Sequence, residues 1–143
     1  LFEKYKPIEE CLRRRDSYLI CKKEDMQGIT SSVTKITVAK ASCNEITINK
    51  LDLSPYKALE EVVVEDNCFK YCTSVVLRGL PALKSLEVGY HSFSFMEYQQ
   101  IIEFSIARRS ASLVLDDCPA LSTVRIGRCS FVDYNACHLN GGR

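Results

Sequence analysis

The sequence predicts a mainly β repeat array, and three observations carry that prediction. The stretches LEEVVVEDNCF (59–69), LKSLEVGYHSF (83–93) and LSTVRIGRCSF (121–131) spell one pattern, apolar-x-x-apolar-x-apolar-x-x-x-x-Phe. Within it, Val62-x-Val64, Leu86-x-Val88 and Val124-x-Ile126 alternate with period two, as half-buried strands do. Leu59 and Leu83 stand 24 residues apart, a spacing that rules out hairpins between copies and is long enough to bring the next strand back parallel. A unit this short exposes its apolar face unless neighbours stack on it.

In chain order, residues 1–32 do not repeat and read as an N-terminal cap over the open edge of the array. Pro7 suits the first turn of a short helix that places Ile8, Cys11 and Leu12 on one face. SYLIC (17–21) reads as an extended apolar piece. The LRRR run (12–15), followed by Asp16, reads as a solvated helix face rather than a basic binding patch.

The array occupies 33–143 in units 33–58, 59–82, 83–120 and 121–143. The first, VTKITVAKASC, is weaker but keeps Val33, Ile36 and Val38, and it runs two residues longer than the next. RRSASLVLDDCPA (108–120) lies under KYCTSVVLRGLPA (70–82) without a gap, so the surplus in the third unit is one 14-residue insertion, 94–107. The return segments SVVLRGLPA and SLVLDDCPA are themselves apolar-x-apolar and read as short strand-like or extended pieces rather than full helices, and Pro81 and Pro119 suit turns back to the next unit. In the last unit Cys137 and Leu139 fall where Val75 and Leu77 fall. The sequence then stops mid-repeat, which predicts further repeats at the C-terminal end. The start lacks an initiator Met, a signal sequence and a cleavage site, so the chain reads as a segment of something longer.

The insertion SFMEYQQIIEFSIA is too apolar for a free loop. Helical spacing fits Phe95, Tyr98 and Ile102, while alternation fits Ile102, Phe104 and Ile106. It either packs on the flank of the array or presents Phe95, Met96, Tyr98, Ile102 and Phe104 to a protein partner.

Composition narrows the function. Among 143 residues, 46% are hydrophobic and 26% charged, the balance of one folded domain. A net charge of +1 provides no field to gather nucleic acid, and no apolar run approaches the roughly 18 residues of a membrane span. Eight cysteines could form four disulfides. Several, however, occupy positions that other units fill with Phe, Leu or Val, which favours buried thiols and, if they stay reduced, an intracellular setting.

The segment Leu59-x-x-Val62-x-Val64-x-x-Asn67-x-Phe69 resembles the conserved stretch of leucine-rich repeats, in the variant form found in large repeat proteins of unicellular eukaryotes. The copies match as Leu83, Leu86, Val88, His91, Phe93 and as Leu121, Val124, Ile126, Cys129, Phe131. The resemblance implies a right-handed solenoid with a concave parallel sheet, short extended or 3-10 return segments and a small helical N-terminal cap. It also implies a hydrogen-bond ladder at the Asn/Cys position, here Ala41, Asn67, His91 and Cys129, irregular because Ala41 cannot donate. Three phenylalanines at one repeat position predict a stacked apolar spine.

No reactive constellation stands out. His91 falls on the ladder position, and His138 lies between Cys137 and Leu139 with no partner that spacing demands. Cys68-x-x-x-Cys72 with distant Cys118 and Cys129 lacks the paired short spacings of zinc sites, and no phosphate-cradling glycine loop appears. The reading is a non-enzyme with no cofactor or metal. What remains is surface. The outward columns are Lys35, Glu61, Ser85, Thr123 and Thr37, Val63, Glu87, Arg125, with Glu65 extending one strand. The family likeness makes this concave face the first candidate for binding a protein. A structural subunit docked through the insertion and the open repeat edge is the alternative.

Overall fold

The computed structural model describes residues 17–94, 111–131, 134 and 136–140. Nine strands run through them: β1 (Ser17–Ile20), β2 (Lys35–Val38), β3 (Lys50–Asp52), β4 (Glu61–Val64), β5 (Ser74–Arg78), β6 (Ser85–Val88), β7 (Ser112–Asp116), β8 (Thr123–Ile126) and β9 (Ala136–Asn140). A 3-10 helix spans Lys23–Gly28. The strands form two parallel sheets, one ordered β1-β2-β4-β6-β8 and the other β3-β5-β7-β9. Each repeat therefore contributes one strand to each sheet.

Alternation decides which side chains meet. Val62 aligns with Leu86 and Leu86 with Val124, so matching letters of the repeat stand side by side on adjacent strands. Ile36, Val38, Val62, Val64, Leu86 and Val88 of the first sheet are buried, as are Leu51, Val75, Leu77, Leu113 and Leu115 of the second. The core is this double layer of aliphatic side chains.

The return segments, expected to be strand-like or extended with 3-10 as an alternative, are regular strands hydrogen-bonded into their own parallel sheet. Their apolar-x-apolar spelling recurs once per unit, so neighbouring returns pair as the first strands do. Ser17–Ile20, taken as part of a non-repeating cap, joins the first sheet in register with Lys35–Val38. The basic run at 12–15 and the apolar insertion residues Phe95, Met96, Tyr98, Ile102 and Phe104 lie outside the described residues.

The irregular unit lengths do not disturb the pairing of the described strands. Ser74 pairs with Ser112 and Val75 with Leu113, the gap-free alignment the sequence suggested, so the insertion leaves strand register untouched. The two extra residues of the first unit fall between β2 and β3, where Ile46 is exposed. Turns back to the first sheet repeat closely. The amides of Leu59, Leu83 and Leu121 bond the carbonyls of Tyr56, Leu80 and Cys118 at 3.1, 3.4 and 3.1 Å. Pro81 and Pro119 hold the second turn position, where a preset φ helps and no donor is needed.

After β2, β4, β6 and β8 the backbone enters the left-handed region twice, at Ala41 and Cys43, Asn67 and Phe69, His91 and Phe93, and Cys129 and Phe131. This geometry moves the ladder. Asn67 and His91 point outward, and the bonds run instead through the residue between the two left-handed positions. Ser92 Oγ donates to the Glu65 carbonyl at 2.7 Å, Ser130 Oγ to Gly89 at 2.6 Å, and Cys68 Sγ to Ala39 at 3.1 Å. In return Cys68 N–H donates to Ser92 Oγ at 3.2 Å, and Ser92 N–H to Ser130 Oγ at 3.1 Å. The predicted spine is present beside it. Phe69 stacks on Phe93 with centroids 4.9 Å apart, and Phe93 on Phe131 at 4.6 Å, each pair 7° from parallel. Stacks of this kind add about 0.5–1.5 kcal/mol per pair beyond area burial.

Candidate protein-binding surface

The outer face of the first sheet gathers eight of the outward residues named from the sequence, and the ninth, Glu65, lies just past the end of β4. Lys35, Glu61, Ser85 and Thr123 form one in-register column, and Thr37, Val63, Glu87 and Arg125 form the next. Strand β1 adds Ser17 and Leu19 to the same columns. Leu19 is 57% exposed and was missed as a surface residue. The only signal for it was SYLIC read as an extended apolar piece, because its register is visible only through pairing.

Opposite charges meet across strands. Lys35 Nζ lies 3.5 Å from Glu61 Oε2, and Arg125 Nη1 lies 3.7 Å from Glu87 Oε1. Both pairs are well exposed, so water and salt screen them and each contributes at most about 1 kcal/mol. They set a fixed pattern of sign along the sheet.

At the C-terminal ends of these strands lies a groove of about 320 Å³, lined by residues 63–66, 87–89 and Arg125. Close stacking of turns makes its floor. A methyl group on Gly89 would meet Asp66 Oδ1 and come within 2.9 Å of the Asp66 amide nitrogen. One on Gly127 would lie 2.6 Å from the Gly89 carbonyl carbon, so the turns touch backbone to backbone. Asp66 Oδ1 accepts the Tyr90 amide at 2.7 Å, which holds the Asp66 carboxylate at the groove wall.

Most of the described thiols are buried. Cys43, Cys68, Cys72 and Cys118 are buried and free, Cys129 is half-buried, and Cys21 and Cys137 are exposed. Burial, with Glu45 adding to it, pushes the Cys43 thiol up to about 12. Burial also raises Cys68 and Cys118. These three remain protonated at neutral pH and are poor nucleophiles. His91 and His138 are both exposed, His138 on the outer side of β9 opposite Val114. Among the described residues no group of three or more His, Cys, Asp or Glu is placed to hold a metal ion. Nor is any helix among them long and apolar enough to cross a membrane.

No protein-family model, curated protein or solved structure matches the chain.

Proposed function

We propose that the chain is a non-catalytic protein-binding repeat module, a leucine-rich-repeat-like solenoid that presents the outer face of its first sheet to a protein partner. The observation that carries this reading is the pair of in-register outward columns ending in the groove between Glu65, Glu87 and Arg125. A rigid sheet holds these side chains at fixed spacing, so a partner meets a preorganised pattern and loses little entropy in ordering it. The test is a photo-crosslinking residue at Val63, with a control at Val76 on the opposite sheet. A product specific to Val63 that disappears in the Glu61→Lys, Glu87→Lys double variant supports the reading. Crosslinking unchanged by that double substitution overturns it.

A second reading is a structural subunit that docks through the open repeat edge. It is favoured by the inward-type residues Val124 and Ile126, which are 45% exposed, and Leu139, which is 70% exposed.

A further inference from the structure

Charge is unevenly spread in the groove at the ends of β4, β6 and β8. Its lining carries three carboxylates, Glu65, Asp66 and Glu87, against one cation, Arg125. That arginine already has a partner, with Nη1 3.7 Å from Glu87 Oε1. Asp66 gives one oxygen to the Tyr90 amide at 2.7 Å, and Glu65 is exposed. Among the described residues neither Glu65 nor Asp66 forms an ion pair. Three carboxylates against one arginine leave two negative charges uncompensated.

The shape of the groove has a separate origin. The position that follows each strand holds Glu65, then Gly89, then Gly127, so the unit bearing the free carboxylates faces two units with no side chain there. The amides of Gly89 and Gly127 bond back to the carbonyls of Val64 and Val88 at 2.7 Å each, which makes this open side fixed backbone. Val63 adds an apolar wall. A cleft with an apolar wall and a carboxylate rim suits a long side chain with a hydrocarbon stem and a cationic head.

We propose that this groove seats a lysine or arginine side chain of the partner protein, so that the partner's contact segment is basic. The proposal rests on the reading of the outer face as a protein-binding surface and names the chemistry of what binds there. The stem lies along Val63, and the head meets Glu65 and Asp66, whose charges nothing else among the described residues offsets. A nucleic-acid backbone would instead set phosphates against these carboxylates.

The test titrates the isotope-labelled full chain, at low salt, with the blocked peptide acetyl-Gly-Ser-Arg-Ser-Gly-amide and follows the backbone amide shifts. The same peptide with citrulline in place of arginine is the neutral control. Saturable shifts at Val63, Glu65 and Gly89 are expected with arginine and not with citrulline. Glu65→Gln should weaken binding about two- to fivefold, the scale of one exposed ion pair. Glu45→Gln, the same charge change at an exposed position outside the groove, should leave it unchanged. Arg125→Gln should tighten binding by a similar factor because it frees Glu87, whereas Arg78→Gln on the second sheet should not. Equal shifts from the two peptides, or equal effects of Glu65→Gln and Glu45→Gln, overturn the proposal. So do groove amides that move on diluting the chain alone, which would make the occupant a second copy. Absence of peptide shifts while the Val63 crosslink persists also overturns the proposal and leaves the outer-face reading standing. Loss of both removes that reading as well.

Discussion

Ser92 Oγ accepts the Cys68 amide at 3.2 Å and donates to the Glu65 carbonyl at 2.7 Å, joining two consecutive units through one fully buried hydroxyl. The Cys68 amide is fully buried and the Glu65 carbonyl is bonded in a part-buried contact, so the hydroxyl satisfies a donor and an acceptor that would otherwise lose their partner.

Ser92→Ala should therefore cost more than a typical side-chain hydrogen bond. Two unsatisfied groups at roughly 1–3 kcal/mol each give an expected loss of about 2–6 kcal/mol in urea unfolding. Ser92→Cys should lose less, because Cys68 fills the equivalent place with a thiol bonded to Ala39.

Phe93 lies between Phe69 and Phe131 and is 1% exposed. Phe93→Ala should destabilise by about 3–5 kcal/mol, the range for removing a buried aromatic ring. Phe131→Ala should cost clearly less, since that ring is half-buried. The ordering of denaturation midpoints checks the spine.

Ala41 is exposed at φ 59°, where an L side chain costs about 1–2 kcal/mol. Ala41→Gly relieves that strain and loosens the unfolded chain, so the net expectation is a gain of about 0.5–1 kcal/mol. Gly89→Ala should go the other way by about 1–3 kcal/mol, because its methyl group meets Asp66. Thermal melts of the two variants should move in opposite directions.

Alkaline pH should weaken the fold through its buried thiols. Burial raises the Cys43 thiol to about 12 from an ordinary value of 9.0, so above pH 9 the unfolded chain gives up this proton while the folded chain keeps it. The unfolded state then binds fewer protons, and stability falls with rising pH. The contribution is complete below about 9 and is lost towards 12, at up to about 1.4 kcal/mol per pH unit for each such thiol. Cys68 is raised in the same direction, and Cys68→Ser keeps a ladder hydroxyl while removing its titration. Its unfolding midpoint should fall less steeply than wild type between pH 9 and 11.

Much of the architecture was legible in the residues. Val62, Leu86 and Val124 were aligned by counting alone, and they lie on neighbouring strands in that register. The outward columns followed from the same alternation, down to Lys35 beside Glu61 and Glu87 beside Arg125. Periodicity of this kind is local, and each copy states it again, so errors in one copy are corrected by the others. Tyr18 and Ile20 had no such support, because no second stretch of the chain has their spacing to β2, and only pairing shows that they extend the sheet.

Taken by itself, the sequence determined the unit length, the inward letters and the stacked phenylalanines, because burying apolar groups at a fixed period leaves little choice of arrangement. The folded chain alone decided where the ladder runs. Left-handed backbone at Asn67 and His91 turns those side chains to solvent and brings Cys68 and Ser92 inward, one residue later than the family pattern implied. Nothing in an Ala, Asn, His and Cys column dictates that sign of φ. The carbonyls and amides of the adjoining unit do, by giving the inward hydroxyl and thiol partners that an outward side chain would forgo.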